Sequence, residues 1–476
     1  MKNMISVAFI LVVAIPGATG AGVAEAGRRR ASLATASVPT LPEEVVREVV
    51  ERNQGIEALE ARATAAAEVP SQLGSLPDPL FMVGLSNLPL STSSTPLTGV
   101  QFELRQTFPW PGKLALRESA AEHGARAQKH LVEDRRNLLR ARAWSLLWEL
   151  AFLEQHRELA REMATALEQF TEVAEASYVA GSGRQQDIIK PRVERHRIDD
   201  LIESIDRAAD TVRSRINALR HRPPGTPIQA PKLPDYKKET PGQSPSGAGG
   251  QTPDAGGQSR YNGLPSQGKL LEYAESHNPL FRAARARTAS ARHLLALAGK
   301  DYFPDITVGL QYRLRWVETG DAVAGADFIG VTLGVNLPVW FATKQRPAEA
   351  ERASRLSAAL AEEQRLRDEI SDGIERILQA IRRDTAQAAI YRDRIIPETR
   401  QALDSSLADY RAGRLEFISV LDNLLKLFGA RVELSRRATR VLASLAELEH
   451  LLGGLPEPLQ GAYLPDTGDK EQEDDK

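Results

Sequence analysis

The chain repeats itself, and this duplication limits the possible folds more than any other feature of the sequence. Val83–Leu85 recurs as Val308–Leu310 in the second half. The segment Tyr178–Gly181, of the form Tyr-x-Ala-Gly, recurs there as Tyr410–Gly413, at nearly the same offset. Because landmarks of different kinds fall in one order at nearly one spacing, each half is predicted to form the same supersecondary unit.

Each half contains two stretches in which apolar and polar side chains alternate. They predict one hairpin over about 80–108 and another over about 304–338. Since successive strand side chains point to opposite faces, each strand would have an apolar and a polar face. About ten such residues could span a bilayer as one strand of a barrel. The residues expected to face lipid are Val83, Leu85, Phe102, Leu104, Ile306, Val308, Leu310, Val331, Leu333 and Val335, and those expected to face an aqueous lumen are Gln101, Glu103, Arg105, Gln311, Arg313 and Arg315.

A long helix is predicted after each hairpin, over about 114–178 and about 345–410. At 1.5 Å per residue, the first would be about 100 Å long, far beyond a globular helix. Apolar residues at alternating steps of four and three mark a coiled-coil seam in both halves. The seam residues are Leu139, Ala143, Leu146 and Leu150 and, at one constant offset in the second half, Ile370, Ile374, Ile377 and Ile381.

Several segments lie outside this pattern. Residues 1–26 read as a secretory signal peptide, with an apolar core at Ile5–Ile15 and a cleavage site at Ala24–Ala26 or just after Ala21. The repeats would span 40–222 and 268–453, the first opened by a capping box at Thr40 and a helix to about Leu73. A Pro/Gly-rich linker over 223–267 and an acidic tail over 454–476 complete the chain, and the middle of the linker and the tail are expected to be disordered.

Composition excludes several functional classes. With no cysteine, an exported chain has no disulfide and no lipid-bearing cysteine. A net charge of -2 and the lack of a clustered basic patch argue against nucleic acid as a partner. No phosphate-binding glycine loop, nucleophile elbow or His-Glu-x-x-His motif occurs, so we expect no enzymatic activity, no cofactor and no metal site.

The four predicted strands cannot close a membrane barrel alone, because about eight is the smallest number seen. An open sheet edge in lipid would leave backbone groups unpaired at several kcal/mol each. Transmembrane strands would therefore have to be pooled by several copies, eight from a dimer or twelve from a trimer. Aromatic residues near the strand ends, as in interfacial girdles, are Trp110, Tyr312, Trp316 and Trp340.

The arrangement resembles the TolC-like outer-membrane efflux family over nearly all of the mature chain. The resemblance rests on the duplicated helix–hairpin–helix, the two Tyr-x-Ala-Gly turns and the Asn278–Pro279 break before the second hairpin. Phe108–Lys113 also resembles members of the heavy-metal (CzcC-like) branch. The implied fold class is mixed α and transmembrane β: a homotrimer with a 12-stranded β-barrel, continued by a periplasmic α-helical barrel.

The resemblance also implies a function. Such a protein would be the exit duct of a tripartite efflux system in the outer membrane. It would passively conduct metal cations or small toxic compounds from an inner-membrane pump of the RND type and a periplasmic adaptor (membrane fusion) protein. Two alternatives stay open at this point: an outer-membrane channel for type I secretion, and a soluble periplasmic coiled-coil scaffold.

Finally, the resemblance assigns residues to the periplasmic end, in tip segments over 178–187 and 410–422. It places Tyr178, Gly181, Tyr410 and Gly413 at the tips where the adaptor docks, and Asp187 and Asp422 at the aperture. The sequence departs from the family there, since Ser419 holds a position that can be acidic. Leu415 holds a position that is basic in the family, although Arg414 is adjacent.

Overall fold

The computed structural model describes residues 41–86, 99–181, 183–233, 265–315 and 326–456. The predicted signal peptide, the Thr40 cap, the outer loops of both hairpins with Trp316, the middle of the linker and most of the tail lie outside the described residues.

None of the described helices is long and apolar enough to span a bilayer.

Both halves have the same order of elements: helices, a hairpin, a long helix, a tight turn and a further helix. The first half contains α1 (Pro42–Arg52), α2 (Gln54–Ala67), α3 (Val69–Gly74), β1 (Leu80–Ser86), β2 (Gly99–Phe108), α4 (Lys113–Val179) and α5 (Gln185–Leu219). The second contains α6 (Gln267–His277), α7 (Pro279–Lys300), β3 (Ile306–Arg315), β4 (Phe328–Val335), α8 (Gln345–Ile390), α9 (Ile396–Arg411) and α10 (Phe417–Leu452).

The two hairpins form a single antiparallel sheet of order β1-β2-β3-β4. Pairing of β2 with β3 joins the halves, with Leu104 opposite Leu310, and Leu310 in turn lies opposite Val331 of β4. Within the described part of the chain, β1 and β4 each have a second edge that pairs with no strand. The sheet therefore ends in two open edges.

The first helical segment is not continuous to Leu73, as the sequence predicts, but breaks at Asn53. The backbone of Asn53 is extended, and its side-chain oxygen accepts a hydrogen bond from the Gly55 amide at 3.0 Å. This caps α2 and stops α1. The side-chain amide of Asn53 also donates to the carbonyl of Leu219 at the end of α5, at 3.0 Å.

Asn278 makes the same two contacts in the second half. Its side-chain oxygen accepts from the Leu280 amide and its amide group donates to the Leu451 carbonyl, both at 2.7 Å. The break is thus duplicated, at equivalent positions of the two halves. Only the second copy is marked in the sequence by a following proline, which is why the first was missed.

The second long helix also differs from its predicted form. A π-helical turn, Tyr391–Ile395, separates α8 from α9. Pro397 is the second residue of α9 and has no amide hydrogen to continue an α-helical ladder, and a π turn is one way a helix accommodates such a gap. Helix α4 contains no proline and runs for 67 residues without a break.

The main hydrophobic core lies between the long helices, halfway along their length. Seven of the eight predicted seam residues are buried in it, together with Trp148, and Leu146 packs against it. Fully burying an aliphatic side chain stabilises a fold by about 1.5–3 kcal/mol. The first residues of the predicted linker also belong to this core: Ile228 is buried there, beside the buried ion pair of Glu48 and Arg220.

A polar junction connects the sheet to α4. The ammonium of Lys113 is buried and donates to the carboxylate of Asp305 at 2.8 Å and to the carbonyl of Phe303 at 3.0 Å. The backbone amide of Trp110 donates to the same carboxylate at 2.9 Å. Burial by itself raises the pKa of Asp305, but the hydrogen bonds from Lys113 and Trp110 outweigh it and hold the pKa below its ordinary value.

Candidate functional site

One face of the sheet is apolar across all four strands. In an antiparallel sheet, directly opposed residues lie on the same face. The observed register places all ten residues predicted to face lipid on one face, which has Gln106 as its polar member at the end of β2. Many of these side chains are exposed, Val331 by 75% and Leu333 by 73%. A contiguous exposed apolar surface of this kind marks a contact with lipid or with another protein.

The opposite face is mostly polar and carries all six residues predicted to face a lumen. Glu103 is buried and forms an ion pair with Arg105, and Arg313 donates to the side-chain oxygen of Gln101 at 3.3 Å. The guanidinium of Arg315 lies over the ring of Phe328, 5.1 Å from its centre. This face has three arginines and one glutamate, so its described part is net positive. Its apolar members are Leu80, Met82 and Phe328.

Two tight turns form the other end of the molecule. Gly181 has φ +77° and Gly413 has φ +70°, a region that favours glycine because it has no Cβ. The amide of each glycine donates to the carbonyl of the tyrosine three residues earlier, Tyr178 or Tyr410, at 2.9 Å. These are the two tips, 178–187 and 410–422.

The structure does not bring the two predicted aperture acids together in a direct contact. Asp187 is in the first turn of α5, where its carboxylate accepts a hydrogen bond from the Arg184 amide at 3.4 Å. A carboxylate at this position also interacts favourably with the helix dipole. Asp422 lies in α10 and forms an exposed ion pair with Lys426 at 2.6 Å. The negative charge of Asp422 is therefore accompanied by a positive charge of the same chain.

Two further tip contacts were not predicted. Arg184 and Glu416, the residues that cap α5 and α10, form an exposed ion pair at 2.6 Å. Arg414 pairs with Asp409 at 2.9 Å. The first pair had a signal in the sequence, since the offset between the two tips places its members at equivalent positions of the repeat. Leu415 packs in an apolar cluster around Val420.

No metal site is apparent in the part of the chain that the structure describes, since no group of three or more His, Asp and Glu side chains there could hold an ion. His123 and His293 stack with their ring centres 5.2 Å apart, and burial lowers the pKa of His123.

Comparison with known proteins supports a specific family. Residues 270–454, which correspond to the second half, match a family model described as outer membrane efflux protein. No curated protein matches the chain by sequence.

Solved structures extend the likeness to most of the chain. The chain is similar to the outer-membrane channel OprN, with a TM-score of 0.68 and 15% identity over 87% of this chain and 90% of that one. It is similar to the outer membrane protein VceC of Vibrio cholerae, with a TM-score of 0.69 and 16% identity over 87% and 96% of the two chains. The open state of the MtrE outer membrane channel of Neisseria gonorrhoeae gives a TM-score of 0.67 and 17% identity over 87% and 89%. At such identities, the likeness establishes the fold.

Proposed function

We propose that the chain is a TolC-like outer-membrane efflux protein, which lies in the outer membrane with a periplasmic portion, and that it is the passive exit duct of a tripartite efflux system. In this proposal three copies form a 12-stranded barrel in the outer membrane, and their long helices continue the duct through the periplasm.

The observation that carries the proposal is the four-stranded sheet with one apolar exposed face and two open edges. An apolar face that is open to solvent favours a lipid environment, and backbone groups at an open edge cannot remain unpaired in lipid. Pairing β4 of one copy with β1 of the next satisfies these backbone groups when the ring closes, and the apolar face then lies against lipid. Three copies would supply twelve strands, within the range of known membrane barrels.

The tips are proposed as the docking site of a periplasmic adaptor protein, which in turn connects to an inner-membrane pump of the RND type. Val179, beside Tyr178, is 88% exposed, and such an apolar side chain at the end of the molecule suits contact with a partner. Asp187 and Asp422 are proposed to line the aperture. Because Lys426 pairs with Asp422, a ring of three Asp422 side chains would attract cations less strongly than unpaired carboxylates would.

The charge on the polar face of the sheet bears on the class of exported compound. The described polar face of the sheet is net positive, and a positive lining does not favour entry of metal cations. If the exported compound is a metal ion, its selection would therefore occur in the pump. Small toxic compounds without strong positive charge fit the described lining better.

Conduction in lipid bilayers and oligomer mass test the proposal together. The detergent-solubilised protein is expected to have the mass of three chains and to form water-filled channels in planar bilayers. Recovery of a folded monomer from the periplasm without detergent would favour the soluble scaffold instead and overturn the proposal. Export of a protein substrate by cells that carry a matching ABC transporter would favour the secretion channel.

Placement of an arginine on each face of the sheet tests the assigned environments. Leu310→Arg would put a charge in lipid, at about 2–4 kcal/mol near the bilayer midplane, and should reduce the trimer in outer-membrane fractions. The matched control is Gln311→Arg, one residue along the same strand and on the polar face. Equal losses for both variants would refute the assignment of the faces.

A further inference from the structure

The segment that connects the sheet to the long helix occurs twice, but only the first copy contacts its partner groups within the chain. In the first half, the ring of Trp110 stacks on Phe303, with centres 5.0 Å apart, and the buried ammonium of Lys113 binds Asp305 at 2.8 Å. The partner groups come from the segment just before β3. The junction thus joins the end of the first hairpin to the start of the second.

Trp340 and Lys344 are the counterparts of Trp110 and Lys113 in the second half. In both halves the lysine amide donates to the tryptophan carbonyl, at 3.0 Å for Lys113 and 2.9 Å for Lys344. The second half has one more residue between the two, and the turn absorbs it. The lysine begins the long helix in the first half and caps it in the second, so both pairs sit at the same structural position.

The acceptor side is duplicated as well. Phe303–Asp305, which reads Phe-Pro-Asp, corresponds to Leu76–Asp78 of the first half, which reads Leu-Pro-Asp. Each segment ends shortly before the first strand of its hairpin, β3 or β1. Each therefore offers an apolar side chain and, two residues later, a carboxylate at the same end of the sheet.

These second copies do not meet within one chain, because β1 and β4 are at opposite edges of the sheet. Trp340 is 73% exposed and Leu76 is 48% exposed. The side chains of Lys344 and Asp78 are exposed, and neither makes a hydrogen bond or ion pair with any residue that the structure describes. Two complementary half-sites are thus left open at the two open edges.

We propose that a second copy of this chain completes the junction: Leu76 and Asp78 of one copy meet Trp340 and Lys344 of the next. The Trp340 ring covers Leu76, and the Lys344 ammonium binds the Asp78 carboxylate. The contact is head-to-tail, so each copy offers one half-site of each kind, and repetition closes a ring. It rests on the proposed function only in that β4 of one copy pairs with β1 of the next.

The physical basis is that the equivalent groups of the repeat already bind each other inside the chain. Lys113 loses nearly all of its water contact, and a buried ammonium is stable only when it is paired and hydrogen-bonded. The intramolecular junction shows that this sequence pattern supplies such partners. A closed ring would then contain, for each chain, one junction within the chain and one junction to the next copy, and the two would alternate around the ring.

Cysteine cross-linking tests the contact directly, since the chain has no cysteine of its own. The double variant Asp78→Cys with Lys344→Cys is expected, after treatment with a short bifunctional maleimide that spans the length of a lysine–aspartate pair, to give covalently linked dimers and trimers. Asp78→Cys with Glu351→Cys is the matched control, because residue 351 lies seven positions further along α8, about 10 Å away. Lys113→Cys with Asp305→Cys should close within one chain and leave the mass unchanged.

Charge exchange provides a second readout that does not depend on cysteine. Asp78→Lys and Lys344→Asp are each expected to lower the temperature at which the trimer dissociates, and the double exchange to recover most of the loss. A stable trimer with no more cross-linking than the Glu351 control, and with no recovery on exchange, would overturn this junction while the proposed function stands. Absence of any oligomer in the unmodified protein would instead overturn the proposed function.

Discussion

The two tips derive from one repeat but are stabilised in different ways. In the second tip, Tyr410 packs edge-to-face on the buried ring of Phe417, with centres 5.5 Å apart. In the first tip, Gln185 occupies the position equivalent to Phe417, and Tyr178 is 49% exposed. The second tip packs its tyrosine on a buried aromatic ring, whereas the first leaves its tyrosine on the surface. We interpret the first tip as the one better suited to hold a partner.

The charges of the tips also differ, and in a complementary way. Arg184, Lys190 and Glu194, in and just after the first tip, correspond to Glu416, Asp422 and Lys426, in and just after the second, so the sign is reversed at three equivalent positions. A direct consequence is the ion pair between Arg184 and Glu416. Two like charges at residues 184 and 416 would repel, so divergence of the repeats at this position favours the close approach of the starts of α5 and α10.

The largest effect is expected from the aromatic ring that distinguishes the second tip. Phe417→Ala should lower the free energy of unfolding by about 3–5 kcal/mol, since it removes a fully buried ring. The equivalent change in the first tip, Gln185→Ala, should alter it by less than about 0.5 kcal/mol because that side chain is exposed. Thermal unfolding of the solubilised protein followed by circular dichroism measures both. Similar losses would remove the contrast between the tips.

A smaller difference is expected between the two tyrosines. A double-mutant cycle of Tyr410→Ala and Phe417→Ala should give a coupling of about 0.5–1.5 kcal/mol, the usual value for an aromatic pair. Tyr178→Ala should leave stability nearly unchanged but weaken binding of the adaptor in a pull-down with the purified partner. Loss of stability without loss of binding in Tyr178→Ala would show that the first tip is also held by its tyrosine.

The ion pair between the tips should contribute less again. Arg184→Glu is expected to cost at most about 1 kcal/mol, because both side chains are more than half exposed. The exchange of Arg184→Glu with Glu416→Arg should restore the wild-type value, and added salt should reduce the differences. A double variant less stable than either single variant would show that the complementarity of the tips has no energetic role.

The smallest change in stability is expected at Lys426. Lys426→Ala breaks an exposed pair within one helix and should cost about 0.5 kcal/mol or less. If Asp422 lines the aperture, as proposed, the same change should increase the preference for cations in reversal-potential measurements. Asp422→Ala should shift it in the opposite direction, and Lys426→Arg should leave it unchanged. Identical reversal potentials in all these variants would place Asp422 away from the aperture.

Local patterns in the sequence were sufficient for the strands and for the two glycine turns. The alternation of side chains predicts which residues of a strand share a face. The observed register keeps the predicted apolar and polar sets on separate faces. The glycines of the two turns adopt the positive φ expected of them. In contrast, the break at Asn53 is not predicted, because asparagine also occurs within helices and no proline follows it here.

What the sequence by itself determined is therefore the duplication and, at short range, the alternation of the strands and the positions of the turns. These depend on periods of two and 3.6 residues and on the conformational freedom of glycine, all of which are read over a few neighbouring residues. Only the tertiary structure decided which residues meet at long range. It brings Asp305 to Lys113, and it leaves the equivalent groups, Asp78 and Lys344, apart at opposite edges of one sheet, because a four-stranded antiparallel sheet has two edges that cannot reach each other.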